Sequence, residues 1–137
     1  MGQGQLNQPV SILLKPNLLE FGLWLLRRRF RLRVVGRSMV PSLYPGDEVL
    51  VDRHAYTSNL PIVGDLVVAE HPEQPGLKII KRLVAMTEDS SEAISNVYFY
   101  TLIGDNPDAS TDSRSFGDIP SDLIVGKVTS LFYRAPH

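Results

Sequence analysis

From residue 31 to the end of the chain, short runs of β-branched and aromatic residues recur between clusters of Gly, Pro, Asn, Asp and Ser. Side chains leave a strand on alternate faces, so such runs read as strands and the clusters as turns. Strands are expected at 31–35, 48–53, 65–70, 77–86, 96–103 and 125–133. In the second, Val49 and Val51 share one face. The fourth holds Ile79, Lys81, Leu83 and Ala85 on one face, with Lys78 and Arg82 on the other. Pro41 and Pro45 forbid helix between the first two strands, and Tyr44-Pro45-Gly46-Asp47 has the residues of a type II turn. Pro72-Glu73-Gln74-Pro75-Gly76 makes a hairpin connection, and residues 87–95 form an acidic, serine-rich loop.

Before residue 31 the pattern changes. Residues 1–16 read as an irregular arm. Asn17 followed by Glu20 is a capping pair that opens a short helix through about residue 29. That helix is apolar on most sides, so it packs on the domain, on a partner or on a bilayer surface. The division expected is an arm and short amphipathic, Arg-rich helix at 1–33, then one domain at 34–137. The fold class is mainly β, a coiled sheet or barrel with a short N-terminal helix.

At 137 residues the chain is long enough to bury a core without staples. It contains no cysteine, which removes disulfides, cysteine-ligated zinc and a thiol nucleophile together. The net charge of −1 hides an asymmetry: residues 1–37 carry seven basic side chains against Glu20, and residues 38–137 carry seven against fourteen acidic ones. Arg27, Arg28, Arg29, Arg31, Arg33 and Arg37 make a cluster suited to an anionic surface, or simply to a solvated helix end. No run approaches the ~20 apolar residues of a spanning helix. The arginines follow the apolar run 21–26 instead of preceding it, unlike a cleaved signal peptide. The expectation is a cytoplasmic chain, with peripheral membrane contact through residues 17–37 as an option.

Chemistry enters with Lys81. A lysine between isoleucine and leucine on a buried strand face is desolvated, which lowers its pKa and lets it act as a base; the plainer alternative is a lysine that snorkels to water. Ser38 lies between Gly36 and Met39 in the proline-bounded loop. Glycine there allows close backbone approach, so the Ser38 N–H and a neighbour face a developing oxyanion; the plainer alternative is a turn serine bonded to its own backbone. Residues 104–117 are mostly loop formers. They read as a rigid polar loop in which Asp112 pairs with Arg114 and Ser110 hydrogen-bonds the lysine, or as an ordinary loop. Pro107 spoils the spacing of a calcium site. His54, His71 and His137 have no motif around them, and a Ser-His-Asp triad through His71 is the minor alternative.

Taken together, Gly36 to Asp47, Lys78 to Val84 and the Gly-Asp-Asn…Ser-x-Asp-Ser-Arg run from Gly104 to Arg114 resemble the type I signal peptidase family of serine–lysine endopeptidases. The resemblance covers residues 34–128. It implies the signal-peptidase fold, Ser38 as nucleophile, Lys81 as general base, Ser110 as the group that orients the lysine, and Asp112 and Arg114 as structural support. It places the second oxyanion contributor at Gly36, which offers backbone only. It implies a protein precursor as substrate and partner, with no nucleic acid, metal or cofactor. Within the family, the short chain and the helix–Arg entry look closest to the soluble maturation proteases of nickel-containing superoxide dismutase, so that precursor is the expected substrate. A minimal signal peptidase acting on exported precursors is the runner-up. A self-cleaving repressor of the LexA type lacks room upstream for a DNA-binding domain and lacks the scissile Ala-Gly or Cys-Gly pair. A non-catalytic β module that binds protein is the fourth reading.

Overall fold

In a computed structural model, which describes residues 13, 15–25, 29–89 and 97–137, seven antiparallel strands form a single curled sheet. The strands are β1 (Arg29–Arg33), β2 (Glu48–Asp52), β3 (Leu66–Glu70), β4 (Lys78–Asp89), β5 (Val97–Ile103), β6 (Ile119–Pro120) and β7 (Ile124–Tyr133), preceded by helix α1 (Leu18–Leu25). Their order is β1-β2-β7-β3-β4-β5-β6. The last strand thus inserts between β2 and β3 and joins the two halves of the sheet. This is the mainly β, signal-peptidase-like architecture the sequence indicates, an open half-barrel rather than a closed one.

β3 shows why its sequence is a continuous apolar run. Leu66 and Val68 face a core with Met39, Leu43, Val49, Val51 and Val128, whereas Val67 and Ala69 face a second core with Leu83, Tyr100 and Leu102. A strand covered on both faces has no position for a polar residue. Leu50 is also fully buried, although it alternates with Val49 and Val51.

The N-terminal segment departs from expectation. Asn17 Oδ1 accepts from the Glu20 N–H at 2.8 Å, but the Glu20 carboxylate does not reach back to complete the box. It accepts instead from Arg29 Nε at 3.3 Å and from the Thr129 hydroxyl on β7. α1 therefore packs on the domain, against β1, and leaves Leu18 and Leu19 exposed. The expected helix through residue 29 does not include Arg29, because Arg29 to Arg33 pair with β2 and Arg29 meets Asp52 at 3.0 Å. Phe30 and Leu32 point to the core, and Arg29, Arg31 and Arg33 away from it. The arm at 1–12 and the helix end at 26–28 lie outside the described residues. The expected loop at 87–95 begins later than read, since β4 continues to Asp89 opposite Val97; residues 90–96 also lie outside.

Candidate active site

The loop after β1 is held at its base by two backbone bonds, Val34 N–H to Asp47 O at 2.8 Å and Gly46 N–H to Val34 O at 2.9 Å. Asp47 is fully buried and accepts from the N–H groups of Tyr44 (2.9 Å) and Ala135 (2.8 Å), with Arg134 at 3.3 Å. Asp47 N–H closes on Tyr44 O and Gly46 has φ +90°, as a type II turn requires. Met39 and Leu43 are buried to within 1%. At about 1.5–3 kcal/mol for each buried side chain, these two hold the loop to the core. Ser38 sits beside them, half-buried.

Lys81 occupies β4 opposite Val67 and is 4% exposed. Burial lowers its pKa below the ordinary 10.5; the charge of Asp112 opposes the shift and that of Arg114 adds to it. The ammonium does not snorkel. Its Nζ donates to Ser110 Oγ at 3.2 Å, and Ser110 Oγ donates to Asp112 Oδ2 at 2.6 Å.

Asp112 is itself fully buried and caps the short helix α2 (Ser113–Phe116). It accepts from Arg114 Nε and Nη2, both at 2.9 Å, from the Gly104 N–H at 2.9 Å and from the Arg114 N–H at 3.1 Å. Burial pushes its carboxyl up, but these bonds outweigh it and hold the group far below the usual carboxylate range. The region is therefore a capped helix preceded by a 3-10 turn at Pro107–Ala109, not a plain loop.

The same segment grips the serine loop. Asn106 donates its N–H to Ser38 O at 2.8 Å and its Nδ2 to Arg37 O at 3.0 Å. Ser38, Met39 and Lys81 line one cleft of about 330 Å³, walled by residues 32–35 and 77–80. The structure thus brings Ser38, Lys81, Ser110, Asp112 and Arg114 to one place.

Gly36 needs a different explanation from close approach. A Cβ there would meet nothing within 4 Å, and the residue is glycine-favouring because φ is +79°. The close approach occurs at Gly104. The three histidines stand elsewhere. His71 accepts the Glu73 N–H at 3.0 Å and packs edge-on against Phe116, His137 stacks on Tyr44, and none lines the cleft.

One hydrogen-bond network behind the site escapes a sequence reading. Arg82, on the face of β4 opposite to Lys81, donates to Asp105 at 2.6 Å, to Gly64 O at 2.9 Å and to Ser42 Oγ at 3.3 Å; Ser42 in turn donates to Asp105 at 2.5 Å. This network joins the serine loop, the lysine strand and the third block from behind. The Lys-Arg dipeptide is its signal in the sequence, but nothing local names Asp105 as partner.

Comparison with known proteins follows the same outline. The family profile described as "Signal peptidase, peptidase S26" matches residues 22–98 and 95–133. The chain belongs to the S26 signal peptidase family. The chain is 36% identical over 107 residues to mitochondrial inner membrane protease subunit 1 of Xenopus tropicalis, covering 68% of this chain and 62% of that protein. It is 34% identical over 113 residues to the subunit 1 protein of Schizosaccharomyces pombe, covering 74% and 72%. A shorter match, 38% over 55 residues, links it to signal peptidase I of Aquifex aeolicus, covering 40% and 22%. The chain thus spans less than two thirds of the Xenopus relative. Among the described residues no helix is long and apolar enough to cross a membrane.

Proposed function

We propose that this S26 peptidase is an endopeptidase that removes an N-terminal segment from a protein precursor with a Ser38–Lys81 dyad. The observation that carries the reading is that Lys81, buried and hydrogen-bonded to Ser110, shares a cleft with Ser38. A lysine with a lowered pKa holds a lone pair at accessible pH, and the bond to Ser110 fixes where its nitrogen stands. Lys81 Nζ takes the proton from Ser38 Oγ as that oxygen bonds to the scissile carbonyl carbon. The negative charge moves to the carbonyl oxygen, which the Ser38 N–H and the Gly36 backbone face. Collapse expels the amine, which receives the proton from Lys81 and leaves an acyl-serine. Water then gives a proton to Lys81 as its oxygen bonds to the acyl carbon; collapse breaks the bond to Ser38 Oγ, which takes that proton back from Lys81, and the acid leaves. Ser110 orients, and Asp112 and Arg114 support Ser110.

β1 is an edge strand, and β4 pairs with β5 only from Arg82 onward. The cleft between residues 32–35 and 77–80 therefore has strand edges on both sides, which suits an extended peptide. The substrate that the motif resemblance favours is the precursor of a nickel-containing superoxide dismutase, with residues 34–137 carrying the chemistry. The names of the relatives favour a second reading, a precursor delivered at a membrane. Exposed Leu18 and Leu19, with the arginines of β1 nearby, would then touch the bilayer.

An acyl-serine probe followed by peptide mass spectrometry tests the chemistry: label on Ser38, absent in Lys81→Met, is expected, and label elsewhere sinks the dyad. Co-expression with a nickel dismutase precursor, and separately with an exported precursor in membranes, tests the substrate by the product's new N-terminus.

A further inference from the structure

The cleft is electrostatically one-sided. Its eleven lining residues include three basic ones, Arg33, Lys78 and Lys81, and no acidic one, although residues 38–137 as a whole carry an excess of carboxylates. Arg33 and Lys78 lie on opposite walls. The Arg33 side chain is 70% exposed, and its partner Glu48, at 3.2 Å, is shared with Arg31, also at 3.2 Å. Arg33 thus shares this carboxylate with Arg31. Lys78 is exposed, and its cross-strand neighbour Glu70 accepts from the Gly76 N–H instead of forming an ion pair with it among the described residues. The remaining walls are apolar, including Leu32, Val34, Val35, Leu77 and Ile79, so the charges act beside low-dielectric surface where they are screened less than in open water.

We infer that the cleft selects an extended peptide with an acidic side chain close to the scissile bond, held between Arg33 and Lys78. This rests on the reading of the cleft as the substrate site. The bulk of the lining gives contact with any apolar segment, whereas the two cations discriminate, because a matching carboxylate is attracted and a lysine is repelled. Lys81 is set apart from this selection, since it is only 4% exposed and its Nζ is bonded to Ser110.

The test uses the full chain with Ser38→Ala, which binds without turning over. Fluorescent Ser/Ala dodecapeptides carrying a single Glu, Gln or Lys, stepped through each position, are titrated by anisotropy at 50 and 500 mM salt. At one or two adjacent positions Glu should bind about five- to tenfold more tightly than Gln, and Lys more weakly than both, with the difference shrinking at high salt. Arg33→Gln with Lys78→Gln should erase the difference, and Lys78→Glu should invert it toward Lys. Equal affinities at every position, no binding of any peptide, or a Glu preference unmoved by these variants would overturn the inference. Binding is read apart from turnover. Charge-selective binding by a protein whose wild type cleaves neither these peptides nor a precursor would sink the peptidase reading and leave the selectivity standing.

Discussion

Gly104 and Ser110 compete for one volume: a Cβ on residue 104 would lie 2.2 Å from Ser110 Oγ and 2.7 Å from the Ser38 carbonyl oxygen. Neither neighbour has freedom to yield, because Ser110 is held between Lys81 and Asp112 and the Ser38 carbonyl is held by Asn106. Gly104→Ala should therefore cost about 1–3 kcal/mol of stability by overpacking and lower kcat/KM by roughly a hundredfold through displaced groups. Thermal unfolding and precursor cleavage measure the two. A variant with wild-type activity would show that the Ser110 contact is dispensable.

Ser38→Ala, Lys81→Met and Lys81→Arg should each abolish cleavage while far-UV circular dichroism stays native. Arginine fails because it remains protonated at any working pH and has no lone pair to offer. Ser110→Ala should lower kcat by roughly ten- to a hundredfold without eliminating it, since both reacting groups survive. Substantial turnover by Lys81→Arg would exclude lysine as the base.

Lys81 also ties stability to pH. Its folded pKa lies below the ordinary 10.5, so between those two values the unfolded chain binds more protons than the folded one, and stability contributed by this site rises with pH. Lys81→Met removes the buried charge and keeps the length of the side chain. Its melting temperature should exceed that of the wild type near neutral pH, and the gap should narrow as pH approaches 10.5. A gap that widens on the alkaline side would mean that Lys81 is stabilised as an ammonium. Activity should rise with pH through the folded Lys81 value for the same reason.

What the sequence discloses and what it hides divide along the range of the interaction. Strand faces depend on period two, so the burial of Lys81 beside Leu83 and the opposite placement of Arg82 are legible in Ile79–Leu83 alone. The Tyr44–Asp47 turn is equally local. The insertion of β7 between β2 and β3 is not, because apolar alternation in Val49–Val51 and Val125–Leu131 is silent about partners. Ser110 near Lys81 is suggested by motif, but the reason for Gly104 appears only when two segments meet in space. Arg29 is strand and not helix because cross-strand pairing of Arg29–Arg33 with β2 overrides the local helical pattern. The third block reads as loop since Asn, Asp, Ser and Pro favour turns, and its order comes from a buried carboxylate that collects five hydrogen bonds.

The Arg82–Asp105 pair should behave as a structural clasp. Its side chains are 11% and 19% exposed, and it ties Ser42 and Gly64 to β4. Arg82→Met leaves Asp105 with the Ser42 hydroxyl but without its counter-charge, and takes a donor from the Gly64 carbonyl, so a loss of about 2–3 kcal/mol is expected in urea unfolding. The double variant Arg82→Met/Asp105→Leu should recover part of it, because no uncompensated charge remains. A double variant less stable than the sum of both single changes would argue against coupling of this kind.

Asp112→Asn separates the support of Ser110 from the charge that Lys81 senses. The change keeps the shape of the side chain and removes its negative charge. In the wild type that carboxylate is ionised far below its ordinary 3.8, so its stabilising contribution is complete above that value and is lost on acidification; the variant should lack this part of the acid dependence. The charge also holds up the Lys81 pKa, while Arg114 pushes it down. Removing it leaves Arg114 uncompensated at the same time, and both effects move Lys81 in one direction. The acid limb of kcat/KM against pH should shift to lower pH, while the maximum falls roughly tenfold because Ser110 loses a charged acceptor. A purely structural role for Asp112 predicts the fall without the shift. An acid limb that stays in place, measured on a variant whose melting curve remains cooperative, would therefore remove Asp112 from the electrostatics of the site, and a limb displaced to higher pH would contradict the geometry of the Lys81–Ser110–Asp112 chain.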